Sequence, residues 1–191
     1  MIILGLTGSI AMGKSTAAAQ LRGLGLPVFD ADAAVHTLYM DPAVLAEIAA
    51  ILPNAPANLD RTAVAAMVRQ QPDLLPKLEA ILHPRVRAME GTFLNEARAA
   101  GVKIAVLDIP LLFEAGGADR CDKIAVVTAP WPIQYWRAWR RPGLDWQKFR
   151  AVLARQMPDA EKRRRADFVI QTGFGRAYSL WQWRLVLSQF K

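Results

Sequence analysis

The segment from Gly8 to Ser15 constrains this chain most, because it fits the pattern G-x-x-x-x-G-K-[ST]. The apolar run at residues 2–6 precedes it and is typical of a buried strand. Residues 14–24 follow, rich in alanine and leucine and without proline, and are typical of a helix. A strand, a glycine-bracketed turn and a helix in this order predict a phosphate-binding loop.

The backbone of such a loop does most of the binding. Its consecutive N–H groups, including those of Ala11, Met12 and Gly13, are expected to point at a phosphate chain. Gly8 and Gly13 permit the turns. The N-terminus of the following helix adds a partial positive charge. The loop is therefore predicted to hold a polyphosphate.

Three side chains complete the loop. Lys14 is expected to reach the β- and γ-phosphates of a nucleoside triphosphate. The Ser15 hydroxyl is expected to bind Mg²⁺, with Thr16 beside it. The predicted ligand is ATP or GTP with magnesium.

Further apolar runs predict a buried parallel sheet, because strands that are apolar on both faces need helices on both sides. These runs lie at residues 28–29, 104–107, 124–127 and 168–170. Helical patterns separate them. The predicted fold is a three-layer α/β P-loop NTPase fold with a parallel five-stranded sheet and ligands at the carboxyl ends of its strands.

Residues 41–101 interrupt the alternation of strand and helix, since they contain six prolines and no clear strand. We interpret them as a helical insert. Asp60 is expected to cap a helix that ends near Gln70, and Pro84 to stand in the first turn of a longer helix that ends near Gly101.

A cationic segment follows the fourth strand. Residues 131–165 contain ten Lys or Arg against three acids, which accounts for the whole net charge of +7. Within it, residues 145–157 read as an amphipathic helix. We predict a helical lid at residues 136–165, around a core formed by residues 1–40, 102–135 and 166–191.

Acidic residues end two of the predicted strands. Asp30 and Asp32 follow the second strand, where one can accept or orient the proton of an attacking hydroxyl while the other binds magnesium or caps the next helix. The alternative is that both merely cap that helix. Asp108 ends the third strand and is a candidate magnesium ligand, and the apolar segment from Pro110 to Glu114 predicts a pocket wall that ends in an acid.

The chain has no run of 18 uncharged apolar residues and no leader pattern, and its single Cys121 has no partner for an internal disulfide. These features indicate a protein of the reduced cytoplasm with no membrane partner. For the predicted chemistry one monomer could suffice.

The motifs together resemble the dephospho-CoA kinase family along nearly the whole chain. The matching segments are residues 5–8 and 13–16, Asp30-Ala31-Asp32, Leu82-His83-Pro84, Pro110-Leu111-Leu112-Phe113-Glu114, residues 134–137 with Arg141, residues 155–157 and residues 162–167. Inside the loop the family usually has more glycine and serine, where this chain has Ser9, Ala11 and Met12, and binding is expected to survive.

The resemblance implies that ATP phosphorylates the 3′-hydroxyl of the ribose of dephospho-CoA, which gives coenzyme A and ADP in the last step of coenzyme A biosynthesis. By the same match, Asp32 is the base or orients the hydroxyl, and Lys14 and Arg141 neutralise the transferring phosphate. The segments also imply that Arg137 faces ATP. The residues of the acceptor side are then Asp30, His83 and Glu114.

Two alternatives compete with this interpretation. Another small-molecule kinase would share the fold and the loop, because neither selects the acceptor. A nucleic-acid-binding ATPase would use the cationic segment, with Trp136, Trp139 and Trp146 as stacking platforms. We disfavour the second, since the arginines have a ready role in a lid. A guanine-nucleotide switch is disfavoured as well, because the chain has no Asn-Lys-x-Asp.

Overall fold

The computed structural model describes residues 1–53, 56 and 58–190. The chain divides into two compact units, which we call the sheet unit and the helical unit. The sheet unit contains Met1–Phe29 and the chain from Ala97 onward, and the helical unit is Asp30–Glu96. The predicted insert at 41–101 includes residues 54, 55 and 57, and the predicted core includes residue 191, all outside the described residues. The domain boundaries stay predictions.

A five-stranded parallel sheet lies at the centre of the sheet unit, in the order β2-β3-β1-β4-β5. The strands are β1 (Ile2–Thr7), β2 (Val28–Asp30), β3 (Ile104–Asp108), β4 (Lys123–Thr128) and β5 (Phe168–Gln171). Strand β1 is central, and Leu6 is in register with Asp108 of β3. The predicted α/β fold with five parallel strands is confirmed, and the ends of β1 and β3 meet at one edge.

The helices of the described residues are α1 (Lys14–Gly23), α2 (Ala31–Leu38), α3 (Pro42–Ile51), α4 (Arg61–Gln70), α5 (Leu74–Ala99), α6 (Trp131–Trp139), α7 (Trp146–Arg155), α8 (Asp159–Arg165) and α9 (Arg176–Ser188), with a short 3₁₀ helix at Ala118–Arg120. The core of the sheet unit packs the central strands against α1 and α9. Trp183 of α9 is fully buried there. Burial of so large a side chain stabilises the unit, because it removes much apolar surface from water.

The helical unit has an apolar core of its own, built on residues from α2 to α5 such as Val44, Ile48 and Val64. Asp41 and Asp60 cap α3 and α4, since their carboxylates accept the N–H groups of Ala43 at 2.9 Å and Ala63 at 2.7 Å. The predicted helix from Asp60 to Gln70 is confirmed.

Helix α5 differs from the prediction, because it begins at Leu74 and contains Pro84 in its interior rather than in its first turn. The reason lies in the spacing of Leu74, Leu78 and Leu82, which are four residues apart and buried in the core of the helical unit. Their burial outweighs the cost of roughly 3 kcal/mol for an interior proline. The helix ends near Gly101, as predicted.

Among the described residues, no single helix has the length and apolar character to cross a membrane. Taken together, α2 and α3 are long and apolar enough to span a membrane, but the two helices are bent by 84° relative to each other. The match rests on length and composition alone.

Candidate active site

Two glycines let the loop after β1 take its shape. A Cβ atom at Gly8 would lie 2.4 Å from Cγ2 and 2.8 Å from the carbonyl oxygen of Val127, so only glycine allows the loop to pass this close to β4. Gly13 precedes α1 with a φ of 92°, which is in the left-handed region, and packs against Thr172. The glycines of the motif are therefore required by close packing and by backbone conformation.

Ala11 has a φ of 63° and is the one residue other than glycine with a positive φ in the described part of the chain. A left-handed alanine costs about 1–2 kcal/mol relative to the usual helical region. The next residue, Met12, is buried, and its carbonyl accepts a hydrogen bond from Thr172 Oγ1 at 2.7 Å. The loop thus holds a strained alanine that its surroundings must stabilise.

An ion pair joins the loop to the sheet. Lys14 Nζ lies 2.7 Å from Oδ1 of Asp108, and the Asp108 side chain is only 3% exposed. Asp108 ends β3, and Lys14 begins α1 after the loop that follows β1, as expected for the edge of the sheet that binds ligands. The structure therefore brings together the predicted phosphate-binding lysine and the predicted magnesium ligand.

Ser15 and Thr16 lie in the first turn of α1, and both line a cavity of about 380 Å³ with Ala19, Gln20 and Arg176. Within the described ranges, no group of three or more His, Cys, Asp or Glu could hold a metal by itself. The donors that suit Mg²⁺ are oxygens, and Ser15 and Asp108 supply two of them. This donor set fits a magnesium ion that also binds phosphate oxygens.

Arg137 of α6 is fixed beside the loop. It donates hydrogen bonds to Oγ1 of Thr172 at 2.9 Å and to the carbonyl oxygen of Thr172 at 2.7 Å. Burial lowers the pKa of Arg137, although a guanidinium keeps its charge at neutral pH. Sequence reasoning missed Thr172, and its position directly after β5, at the ligand edge of the sheet, was the available signal.

Arg141 is exposed in the turn between α6 and α7. It lines a cavity of about 710 Å³ together with Tyr135, Trp139, Trp146 and Lys148. The structure gives Arg141 no side-chain hydrogen bond or ion pair with the described residues, so its predicted contact with a phosphate remains a prediction.

Glu114 contacts the segment between α7 and α8 and the helix α8 itself. Its Oε1 accepts the backbone N–H of Met157 at 2.8 Å and lies 2.8 Å from Nζ of Lys162, which is fully buried. Burial raises the pKa of Glu114, but the hydrogen bonds from Lys162 and Met157 outweigh it and hold the pKa below its ordinary value. The sequence places Lys162 in the cationic segment and in the family-matching residues 162–167, but it gave no sign that Lys162 alone is buried against Glu114.

The pKa of Glu114 leads to a pH-dependent prediction. Because the folded value is lower than the unfolded value, the stabilisation by this pair is present above pH 4.5 and is lost as the pH falls through the folded value. We expect Glu114→Gln to lower the free energy of unfolding by about 3 kcal/mol at pH 7, because the Lys162 charge stays buried without its counterion. Denaturant titrations at pH 7, 5 and 3 measure the difference, which should shrink with falling pH.

The matched control is Glu161→Gln, which removes the exposed pair with Arg165 on α8. An exposed pair contributes only about 0–1 kcal/mol. Equal losses in the two variants, or a loss at Glu114 that does not change with pH, would contradict the assignment.

The remaining predicted residues belong to the helical unit. Asp30 caps α2, since its Oδ1 accepts the N–H of Ala33 at 3.0 Å. Asp32 is exposed in the first turn of α2, and no side-chain hydrogen bond or ion pair with a described residue engages it. Capping is therefore observed for Asp30 and not for Asp32, and the roles of both acids toward substrate stay predictions. His83 is exposed on α5.

The sheet order, the loop and its lysine define a P-loop fold of the kind found in kinases. A shikimate kinase from Acinetobacter baumannii shares the fold, with a TM-score of 0.55 and 19% identity over 99% of this chain and 94% of that structure. The crystal structure of TT1252 from Thermus thermophilus is more similar, with a TM-score of 0.87 and 36% identity over 100% of this chain and 98% of its own.

The family follows from the sequence comparisons. The family model for dephospho-CoA kinase matches residues 2–175. A dephospho-CoA kinase from Mesorhizobium japonicum is 52% identical over 176 residues, which cover 92% of this chain and 89% of that protein. The chain belongs to the dephospho-CoA kinase family.

Proposed function

We propose that this protein transfers the γ-phosphoryl group of ATP to the 3′-hydroxyl of the ribose of dephospho-CoA, giving coenzyme A and ADP in the last step of coenzyme A biosynthesis. Membership of the family carries this proposal. The Lys14–Asp108 pair at the phosphate loop supports it, because phosphoryl transfer needs a fixed cation beside the phosphates.

In the reaction, the 3′-hydroxyl oxygen attacks the γ-phosphorus and the bond to the β–γ bridging oxygen breaks. The hydroxyl proton passes to the carboxylate of Asp32, which is exposed in α2, and ADP leaves. Lys14 and Arg141 neutralise the charge that spreads over the phosphoryl oxygens. Arg137, held by Thr172, faces the nucleotide.

The acceptor is assigned to Asp30, His83 and Glu114. The helical unit also has a cavity of about 540 Å³, whose lining includes Tyr39, Arg61 and Arg69 but none of the three assigned residues. Arginine side chains beside apolar atoms suit a substrate that joins a diphosphate to an apolar arm. Glu114 has a second role, since its carboxylate also binds Lys162 and Met157.

Magnesium is proposed at Ser15 and Asp108, where it would neutralise the β- and γ-phosphates. We expect Ser15→Ala to raise the magnesium concentration for half-maximal activity about tenfold, because one oxygen ligand is lost. Titrations of activity with MgCl₂ at saturating substrates measure the effect. Ser188→Ala, at the end of α9, is the control and should leave the titration unchanged. An unchanged titration for Ser15→Ala would remove Ser15 from the magnesium site.

The deciding experiment measures ADP release by the purified protein with ATP and magnesium. The acceptors compared are none, dephospho-CoA, AMP, CMP and shikimate. We expect stimulation by dephospho-CoA alone, with coenzyme A as the product. Stimulation by another acceptor would leave the assignment of the phosphate loop unchanged and would contradict the assignment of the acceptor residues. Because lid closure excludes water, ADP release without acceptor should be slow, and a rate independent of acceptor would contradict closure.

The expected monomeric state and cytoplasmic location belong to this proposal, as do the boundaries of the insert at 41–101 and the lid at 136–165. Gel filtration checks the first of these.

A further inference from the structure

We infer that Gln134 and Gln156 are positioning residues that hold the phosphate loop ready for the nucleotide. The inference deepens the proposed function, since it rests on nucleotide binding by the loop, and it does not depend on the identity of the acceptor. Both glutamines lie outside the loop motif: Gln134 is on α6, and Gln156 directly follows α7.

The two side chains bind both polar backbone atoms of one residue. Nε2 of Gln134 donates a hydrogen bond to the carbonyl oxygen of Ile10 at 2.9 Å. Oε1 of Gln156 accepts the N–H of Ile10 at 3.0 Å. Gln134 is 3% exposed on α6, so its amide is fixed by packing as well. The peptide groups on either side of Ile10 are therefore held in one orientation.

The residue held in this way directly precedes the strained position. Ala11 has a φ of 63°, which glycine adopts freely and alanine does not. Without support, the loop would relax toward conformers in which Ala11 leaves the left-handed region. The two hydrogen bonds to Ile10 favour the observed conformer. They therefore offset a conformational strain that a glycine at position 11 would not have.

Gln156 is itself held in place. The next residue, Met157, donates its N–H to Glu114, and Glu114 pairs with the fully buried Lys162. A chain of contacts thus runs from Lys162 through Glu114 and Met157 to Gln156 and the loop. All of these residues lie in the sheet unit.

The test is the equilibrium dissociation constant of ATP, measured without acceptor by isothermal titration. Gln156→Leu keeps the size of the side chain and removes the acceptor of the Ile10 N–H. We expect the Kd for ATP to rise about five- to tenfold, the effect of one lost hydrogen bond. The KM for the acceptor should change less than about twofold. Gln147→Leu is the matched control, because Gln147 is exposed on α7, and its Kd should equal that of the wild type.

A double-mutant cycle with Ala11→Gly separates positioning from a general structural role. If the glutamine stabilises the strained alanine, its removal should matter less when residue 11 is glycine, because the competent loop is then well populated without help. We expect Gln156→Leu to raise the Kd less than about threefold in the Ala11→Gly background. If Gln156 had a merely structural role, Gln156→Leu would raise the Kd for ATP by the same factor in both backgrounds.

Equal ratios, or an unchanged Kd for Gln156→Leu in the wild-type background, would overturn the inference. Should the leucine variant fail to fold, Gln156→Asn replaces it, since asparagine keeps the amide and is one methylene too short to reach Ile10. The same cycle then applies, with the same expected coupling. If ATP binds and the double-mutant cycle shows the expected coupling between residues 156 and 11, but the protein has no activity on dephospho-CoA, the result would count against the proposed acceptor alone.

Discussion

A Lys14→Met variant is expected to lose about a thousandfold in kcat/KM, since it removes the cation that neutralises the transferring phosphoryl group. Methionine keeps the length of the side chain. The variant also takes the ammonium group away from Asp108, which is 2% exposed, so we expect a loss of about 3 kcal/mol in the free energy of unfolding. Steady-state kinetics and denaturant titrations measure the two effects.

The matched control is Lys103→Met, an exposed lysine that precedes β3, which should change neither quantity. Nucleotide binding at saturating ATP and magnesium separates lost chemistry from lost folding, because a folded variant still binds through the loop backbone. Activity within tenfold of the wild type would contradict the assigned role of Lys14.

An Asp32→Asn variant is expected to lower kcat about a hundredfold, the range for loss of a general base, while the Kd for ATP stays within about twofold. Asparagine retains the shape of the side chain and cannot take the hydroxyl proton. Asp32 forms no capping bond in α2, so the substitution should not affect the helix. Single-turnover rates and ATP titrations measure the effect.

Asp41→Asn provides the control in the same helical unit. Asp41 caps α3 through the N–H of Ala43, and asparagine is an equally good cap, so activity should be unchanged. Full activity of Asp32→Asn would remove Asp32 from its role, and a parallel loss in Asp41→Asn would indicate a disturbed helical unit instead.

The strands and the loop could be predicted because their signals are local. A run such as residues 104–107 is apolar at every position, which suits only a strand covered on both faces. Asp60 could be recognised as a cap from its position before an alanine-rich helical pattern. The order of the strands could not be predicted, since it depends on contacts between distant segments.

Helix α5 shows where a local rule fails. Pro84 predicts a helix start, yet the buried leucines on the preceding turns continue the helix through it. The free energy that stabilises this continuous helix comes from burial of the leucines in the core of the helical unit. Such tertiary contacts cannot be seen in a short sequence window around the proline.

In the candidate active site, too, features with a local sequence signal could be predicted and features set by distant contacts could not. The motif predicted Lys14, and the end of the third strand predicted Asp108, because both lie where ligands meet a parallel sheet. The left-handed Ala11 and the buried Lys162 were not predictable, since Lys162 and the neighbour of Ala11, Ile10, bind partners more than forty residues away in the chain. Whether Asp32, His83 and Arg141 act on substrate stays a prediction.

The contact between Lys14 and Asp108 has a consequence for the thermodynamics of ligand binding. A free lysine side chain loses up to about 2 kcal/mol of rotamer entropy when it is ordered. Here the ordering occurs when the protein folds, because the carboxylate already holds the ammonium group at 2.7 Å. An arriving polyphosphate therefore meets a lysine that is already ordered, so little rotamer entropy is lost on binding. It must also compete with the Asp108 carboxylate for the ammonium group, so the gain from preorganisation is partly offset by the weakened ion pair.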